Sequence, residues 1–121
     1  MTPQEYEKLA EALRENGYKK YEGFLSNEDF YWCKGFLHQE DEDGDKCSSY
    51  QVLYQVWDMR KYKIPENSHF GVSMRVLISE DRRTDLIRSR AGSDDIKKNE
   101  TIAQSFYEWA KKKKSYDKDR N

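Results

Sequence analysis

The chain opens with apolar residues three and four positions apart, which is the spacing of one face of an α-helix. This stripe consists of Tyr6, Leu9, Ala10 and Leu13. Thr2 and Glu5 have the spacing of a capping box at the start of such a helix. Gly17 follows Asn16 and can adopt the positive φ that often ends a helix. The pattern therefore predicts a helix over residues 3–16.

The middle of the chain changes to an alternation of apolar and polar positions, the pattern of β-strands that are buried on one side. The clearest example covers residues 70–78, and its apolar positions are Phe70, Val72, Met74, Val76 and Ile78. Residues 50–59 alternate in the same way. Residues 18–24 and 84–89 are predicted to form shorter strands.

Residues 30–37 leave two alternatives open. Their sequence is rich in aromatic residues, which favours a strand. The alternative is a short helix capped by Ser26, with Phe30, Cys33 and Leu37 on one face. We favour the strand because of this aromatic, β-prone composition. The acidic stretch 38–46 contains Asp43 and Gly44 and is predicted to be a hairpin loop.

A last helical pattern follows the break at Gly92. Asp94 and Asp95 suit the positive end of a helix dipole, and Ile102, Phe106 and Trp109 recur at helical spacing. We expect this helix to end near residue 114. Residues 115–121 are predicted to be a disordered polar tail, since chain termini with few apolar residues are poorly ordered.

These elements predict an α+β fold with one helix at each end of the chain. Short connections make consecutive strands antiparallel, because parallel pairs need long crossovers. The apolar side of the sheet requires a cover, and the two helices are the candidates. We therefore expect a single domain over residues 1–114, built as a two-layer open sandwich. A four- to five-stranded antiparallel meander would form one layer, and both helices would pack on one of its faces.

The composition supports a folded domain with a highly charged surface. Charged residues make up 37% of the 121 positions and apolar residues 36%. Disordered chains are poor in aromatic residues, whereas this chain is 14% aromatic. Cys33 and Cys47 are too few for a disulfide scaffold, and the sequence shows neither a signal peptide nor a membrane-spanning apolar run. We expect a cytoplasmic protein with free thiols and no membrane partner.

The sequence contains no pattern that predicts a cofactor, a metal site or an enzymatic activity. Neither of the glycine-rich phosphate-binding motifs occurs. The acidic stretch 39–50 has glutamine and tyrosine where a calcium loop needs carboxylates. His38, Cys33 and Cys47 are too few for a closed zinc site. His38 and His69 are the two histidines, and neither adjoins a recognisable nucleophile motif.

The polar side of the predicted sheet is the main candidate binding surface. Gln51, Gln55, Trp57 and Arg75 alternate with the apolar positions and therefore share this side. Tryptophan and arginine are favoured anchors in protein interfaces, so we predict another protein or a second copy of the chain as the partner. The alternative is single-stranded nucleic acid, whose bases stack on open sheets. A purely structural role also remains open, in which Trp57 packs against the rest of the chain.

A second candidate surface is the basic end of the chain. Lys111, Lys112 and Lys114 lie close to aromatic residues and could contact phosphate groups. The net charge of -1 provides no general attraction for nucleic acid. A solubilising polar tail is the alternative interpretation of these lysines.

Overall fold

The computed structural model describes residues 1–23, 28–62, 69–80, 83–88 and 91–119, apart from the side chains of Arg83 and of residues 114–119. The two helices are α1 (Pro3–Glu15) and α2 (Ile96–Asp119). The strands are β1 (Lys19–Glu22), β2 (Phe30–Glu40), β3 (Lys46–Asp58), β4 (Phe70–Ile78) and β5 (Arg83–Arg88). Short 3₁₀ turns follow β3 and precede α2.

The five strands form one antiparallel meander, in which each strand pairs with its neighbours in the chain. This arrangement confirms the predicted α+β architecture. Residues 30–37 belong to β2, so the strand alternative is correct for that segment. Ser26, the cap of the rejected helix, lies outside the described residues. Strand β3 is central, and Val52 is opposite Lys34 on one side and Val76 on the other.

Helix α1 begins with the predicted capping box. The backbone N–H of Glu5 donates to the Thr2 hydroxyl at 3.2 Å, and the Thr2 N–H donates to the Glu5 carboxylate at 3.3 Å. Two of the N–H groups that a helix start leaves unsatisfied thereby find acceptors. Gly17 has a φ of 86°, as predicted, and turns the chain directly into β1. The helix ends at Glu15, one residue before the predicted end.

Helix α1 packs on the side of the sheet that carries the apolar positions. Leu9 and Leu13 are fully buried in one cluster with Val52 and Val56 of β3. The ring of Tyr6 stacks on a strand residue, Phe70, with 4.5 Å between their centroids. Burial of such side chains contributes about 1.5–3 kcal/mol each, so this face supplies most of the driving force for folding.

Helix α2 packs on the same side through both ring contacts and hydrogen bonds. Tyr107 stacks on Tyr50 of β3 with 4.8 Å between the ring centroids. Asn99 is fully buried, accepts from Arg88 Nη1 at 2.9 Å and donates to the Tyr54 hydroxyl at 3.2 Å. Burial raises the pKa of Tyr54 to about 12, so its hydroxyl stays protonated in this core. Both helices therefore lie on one face, as the sequence predicted.

The C-terminal part of α2 is longer than expected. The sequence placed a polar tail at 115–121, but the described helix continues to Asp119. Residues 120 and 121 lie outside the described residues. The boundary of the domain at residue 114 stays a prediction.

The acidic loop is shorter than the predicted loop over residues 38–46. Strand β2 continues to Glu40 and β3 begins at Lys46. Asp41 closes the turn, because its carboxylate accepts from the backbone N–H groups of Asp43 at 3.0 Å and Asp45 at 2.8 Å. This side chain satisfies the turn and lets both strands extend further than their composition indicated.

Leu37 lies within β2 with a φ of 52° and is 55% exposed. The left-handed conformation costs a leucine roughly 1–2 kcal/mol, and glycine has no such penalty. We expect Leu37→Gly to raise the free energy of unfolding by up to about 1 kcal/mol in urea denaturation. Thr84→Gly, at an exposed position of β5, is the matched control and should lower it by about 0.5–1 kcal/mol. Equal destabilisation by both substitutions would contradict the assigned conformation of Leu37.

Candidate functional site

The candidate site is the side of the sheet opposite the helices. Residues of β3 point alternately to the two sides, and the helix side takes Val52, Tyr54 and Val56. The opposite side, which we call the second face, is formed by Lys19, Tyr21, Tyr31, Cys33, Gln51, Leu53, Gln55, Trp57, Ser73, Arg75, Leu77 and Leu86. Within the described ranges, neither helix packs on the second face. All four predicted binding residues lie there.

The centre of the second face is buried, although the sequence pattern predicted an open surface. Leu53 and Ser73 are buried, and Gln55 is only 2% exposed. Neighbouring strands lie about 5 Å apart, so a residue of the central strand is closely flanked by side chains on both sides. Leu53 is opposite Cys33 in β2 and Arg75 in β4. A partner would therefore meet the surrounding side chains and not the central ones.

The surrounding side chains are accessible to different extents. Trp57, Gln51 and Arg75 are half-buried, so each retains some contact with solvent. Tyr21 on β1 is 45% exposed and Leu86 on β5 is 50% exposed. The sequence analysis did not identify Tyr21 and Leu86 as binding residues. Alternation along β1 and β5 predicts which side of the sheet each of these residues takes. The pairing register that places them beside the central strands is set only in the folded protein.

A hydrogen-bond network connects two of the predicted binding residues. The Gln55 side-chain oxygen accepts from Arg75 Nε at 2.5 Å and from the Ser73 hydroxyl at 3.4 Å. The thiol of Cys33 donates to the side-chain oxygen of Gln51 at 3.2 Å. Gln55 is thus a buried support for Arg75, while Arg75 is the group that reaches solvent.

Trp57 and Arg75 do not face each other on the paired strands β3 and β4. In the register of β3 and β4, Trp57 is opposite Gly71, Gln55 opposite Ser73, and Leu53 opposite Arg75. The small residues Gly71 and Ser73 therefore separate the tryptophan from the arginine along β4. Trp57 is half-buried, so part of its side chain stays accessible to a partner.

The basic end of the chain forms a separate surface on α2. Lys111 Nζ lies 5.9 Å from the ring centroid of Tyr107, and Lys113 Nζ lies 5.0 Å from that of Trp109. The side chain of Lys112 is exposed, and that of Lys114 lies outside the described residues. Trp109 is 50% exposed. Because α2 packs on the helix side, these lysines and the second face belong to opposite layers.

The titratable groups of the described residues show little catalytic organisation. No group of three histidine, cysteine, aspartate or glutamate side chains is close enough to hold a metal ion within these ranges. His38, expected in a loop, lies in β2. Burial raises the pKa of Cys33 to about 11, which keeps it a protonated thiol at neutral pH. A search of the described helices finds none that could span a bilayer.

The comparisons with known proteins add no further evidence on the site. No family model, curated protein or solved structure gives a match to this chain. The assignment of a function therefore rests on the geometry of the second face and of α2.

The two free cysteines should differ in reactivity. Cys47 is exposed, whereas burial raises the pKa of Cys33 from the ordinary 9.0 to about 11. At pH 8 we expect Cys33 to react with a disulfide reagent at least about tenfold more slowly than Cys47. The rate at Cys33 should increase with each pH unit until its pKa is passed. Stopped-flow measurements on Cys33→Ala and Cys47→Ala separate the two sites, and equal rates at pH 8 would contradict this placement of Cys33.

Proposed function

We propose that this chain is a small noncatalytic interaction domain that binds another protein through its second face. One observation carries the proposal. Trp57, Arg75 and Leu86 remain accessible on a sheet face that neither described helix covers. Partly exposed tryptophan and arginine side chains around a buried centre are typical of the anchors of protein interfaces.

The chemistry of the second face favours a protein partner over a nucleic acid. Arg75 and Lys19 are the charged side chains that the described strands place on this side. Nucleic-acid domains carry a larger basic excess, because phosphate contacts supply most of their affinity. The net charge of the chain is -1, which gives no such excess. Apolar and aromatic groups around one arginine are better suited to a protein surface.

Trp57→Ala is the direct test of this proposal. We expect the variant to stay folded with a loss of about 1–2 kcal/mol in stability, since Trp57 is half-buried. It should lose the protein that the wild-type chain captures from a host lysate, and nuclease treatment should not change this result. Trp109→Ala is the matched control, because Trp109 is an exposed tryptophan of the other layer.

The outcome that contradicts the proposal is equally specific. If the Trp57→Ala variant captures the same protein as the wild type, the second face is not the binding surface. Loss of capture with Trp109→Ala alone would move the binding surface to α2. If the captured protein is the chain itself, the partner is a second copy, and sedimentation equilibrium will show a dimer that Trp57→Ala dissociates.

The alternative function is the binding of single-stranded nucleic acid through the lysines of α2. The observation that favours it is the placement of Lys111 and Lys113 over the rings of Tyr107 and Trp109. Lysines and stacking rings together are a common combination in single-strand binding. On our leading proposal, mixed oligonucleotides should not bind at 20 mM salt. On the alternative, the logarithm of the binding constant should fall with the logarithm of salt concentration with a slope of about −2, as three phosphate contacts require.

A triple variant gives this alternative its own control. Lys111→Gln, Lys112→Gln and Lys113→Gln together should abolish any salt-dependent binding of oligonucleotides, while Trp57→Ala should leave it unchanged if the site lies on α2. Fluorescence anisotropy of a labelled oligonucleotide over a salt series measures both quantities.

A further inference from the structure

Arg75 has an environment that differs from that of the other cations described in the structure. It lies on β4 between two leucines, with Leu53 opposite in β3 and Leu86 opposite in β5. Its side chain is half-buried in this setting. A guanidinium group placed between apolar neighbours has less access to water than one on an ordinary surface, so it benefits more from a partner of opposite charge.

A hydrogen bond to the buried Gln55 side chain fixes the orientation of the Arg75 guanidinium. Arg75 Nε donates to the side-chain oxygen of Gln55 at 2.5 Å, and Gln55 is buried and also accepts from Ser73. The two terminal nitrogens of Arg75 make no hydrogen bond or ion pair with any residue in the described ranges. Those two nitrogens form the planar fork that binds a carboxylate through two parallel hydrogen bonds.

The described strands place no counter-charge for Arg75 on the second face. The strand residues that the structure describes on this face include Lys19 as a further cation and no aspartate or glutamate. A partner that covers the face with apolar groups alone would bury the two terminal nitrogens of Arg75 without an acceptor. An unpaired buried charge is strongly unfavourable, so the arginine selects against such partners and in favour of one that brings an acid.

From this geometry we infer the chemistry of the partner, an inference that rests on the proposed function of the second face. The terminal nitrogens of Arg75 bind the carboxylate of an aspartate or glutamate in the partner protein, and apolar side chains next to that acid contact Leu86 and Leu77. Gln55 is a positioning residue that holds the guanidinium. A nucleic-acid phosphate is the less suitable ligand, because a single arginine between leucines provides no basic track for a phosphate backbone.

The test uses synthetic peptide pools and the whole chain. One pool has a central glutamate with a leucine two positions away on each side and all other positions varied. The matched pool has glutamine in place of the glutamate. Immobilised wild-type protein should retain the glutamate pool at least about tenfold more strongly than the glutamine pool, the effect of one charge-assisted hydrogen-bonded pair.

Variants of Arg75 and Gln55 assign the effect to this site. Arg75→Gln should remove the preference for glutamate, and Arg75→Lys should retain the fold and the charge but only part of the preference. Gln55→Leu, which leaves the arginine in place, should reduce the preference while Leu86 and Leu77 still contact the peptides. Circular dichroism and melting curves of each variant separate lost binding from lost folding, and the ¹⁵Nε–H NMR signal of Arg75 should shift on addition of the glutamate pool.

Several outcomes would overturn the inference, and the proposed function is tested separately by Trp57→Ala and its control. Equal retention of the two pools, or an unchanged preference in a folded Arg75→Gln variant, removes the carboxylate ligand. Retention of oligothymidylate above the glutamate pool, sensitive to Arg75→Gln, assigns the arginine to phosphate instead. In either case, capture that Trp57→Ala abolishes and Trp109→Ala preserves would still identify the second face as the protein-binding surface.

Discussion

The architecture depends on the burial of one side of strands β3 and β4. Val52, Tyr54 and Val56 of β3 are fully buried on that side, and Met74 and Val76 of β4 lie beside them. Such a surface must be removed from water, and an amphipathic helix is the element that can cover it. The other side of the same strands mixes polar and apolar residues. Both described helices pack on the apolar side, and neither covers the second face.

This one-sided burial leaves the proposed binding surface uncovered by either described helix. A sheet with two apolar sides would require helices on both, as in doubly wound folds. In this chain Leu53 and Gln55 at the centre of the second face are buried, while Trp57 and Leu86 around them stay accessible. Trp57 and Leu86 are therefore placed on a rigid support, which reduces the entropy that a partner must overcome on binding.

Polar groups inside the two layers have distinct roles. Asn99 connects α2 to the sheet through Arg88 and Tyr54, a buried network in which each member has a partner. Such satisfied networks favour one arrangement of helix and sheet over others. On the second face, Gln55 uses its buried oxygen to orient Arg75 outward. The first network favours the observed packing of α2, and the second orients the side chain that we propose as the ligand-binding group.

The sequence by itself determined the types of the elements and the side of the sheet that the helices cover. The spacing of Tyr6, Leu9 and Leu13 predicted α1, and the capping residues Thr2 and Glu5 gave its start. The alternation in residues 70–78 predicted β4 and its buried side. These features are local, because they depend on the periods of helix and strand and on short-range hydrogen bonds. The aromatic character of residues 30–37 was enough to favour a strand, which the pairing with β3 then confirmed.

The tertiary structure alone decided which side chains of the second face reach solvent. The alternation predicted that Gln55 and Arg75 would be equally exposed on one side of the sheet. In the folded protein Gln55 is buried, whereas Arg75 lies between Leu53 and Leu86 and is only half-buried. Leu86 and Tyr21 join the face because their strands pair at its edges, and the extent of the acidic turn was set by the carboxylate of Asp41. Register, mutual shielding and side-chain closure of a turn depend on residues that are distant in the chain or on a specific rotamer. A periodic pattern contains no information on them.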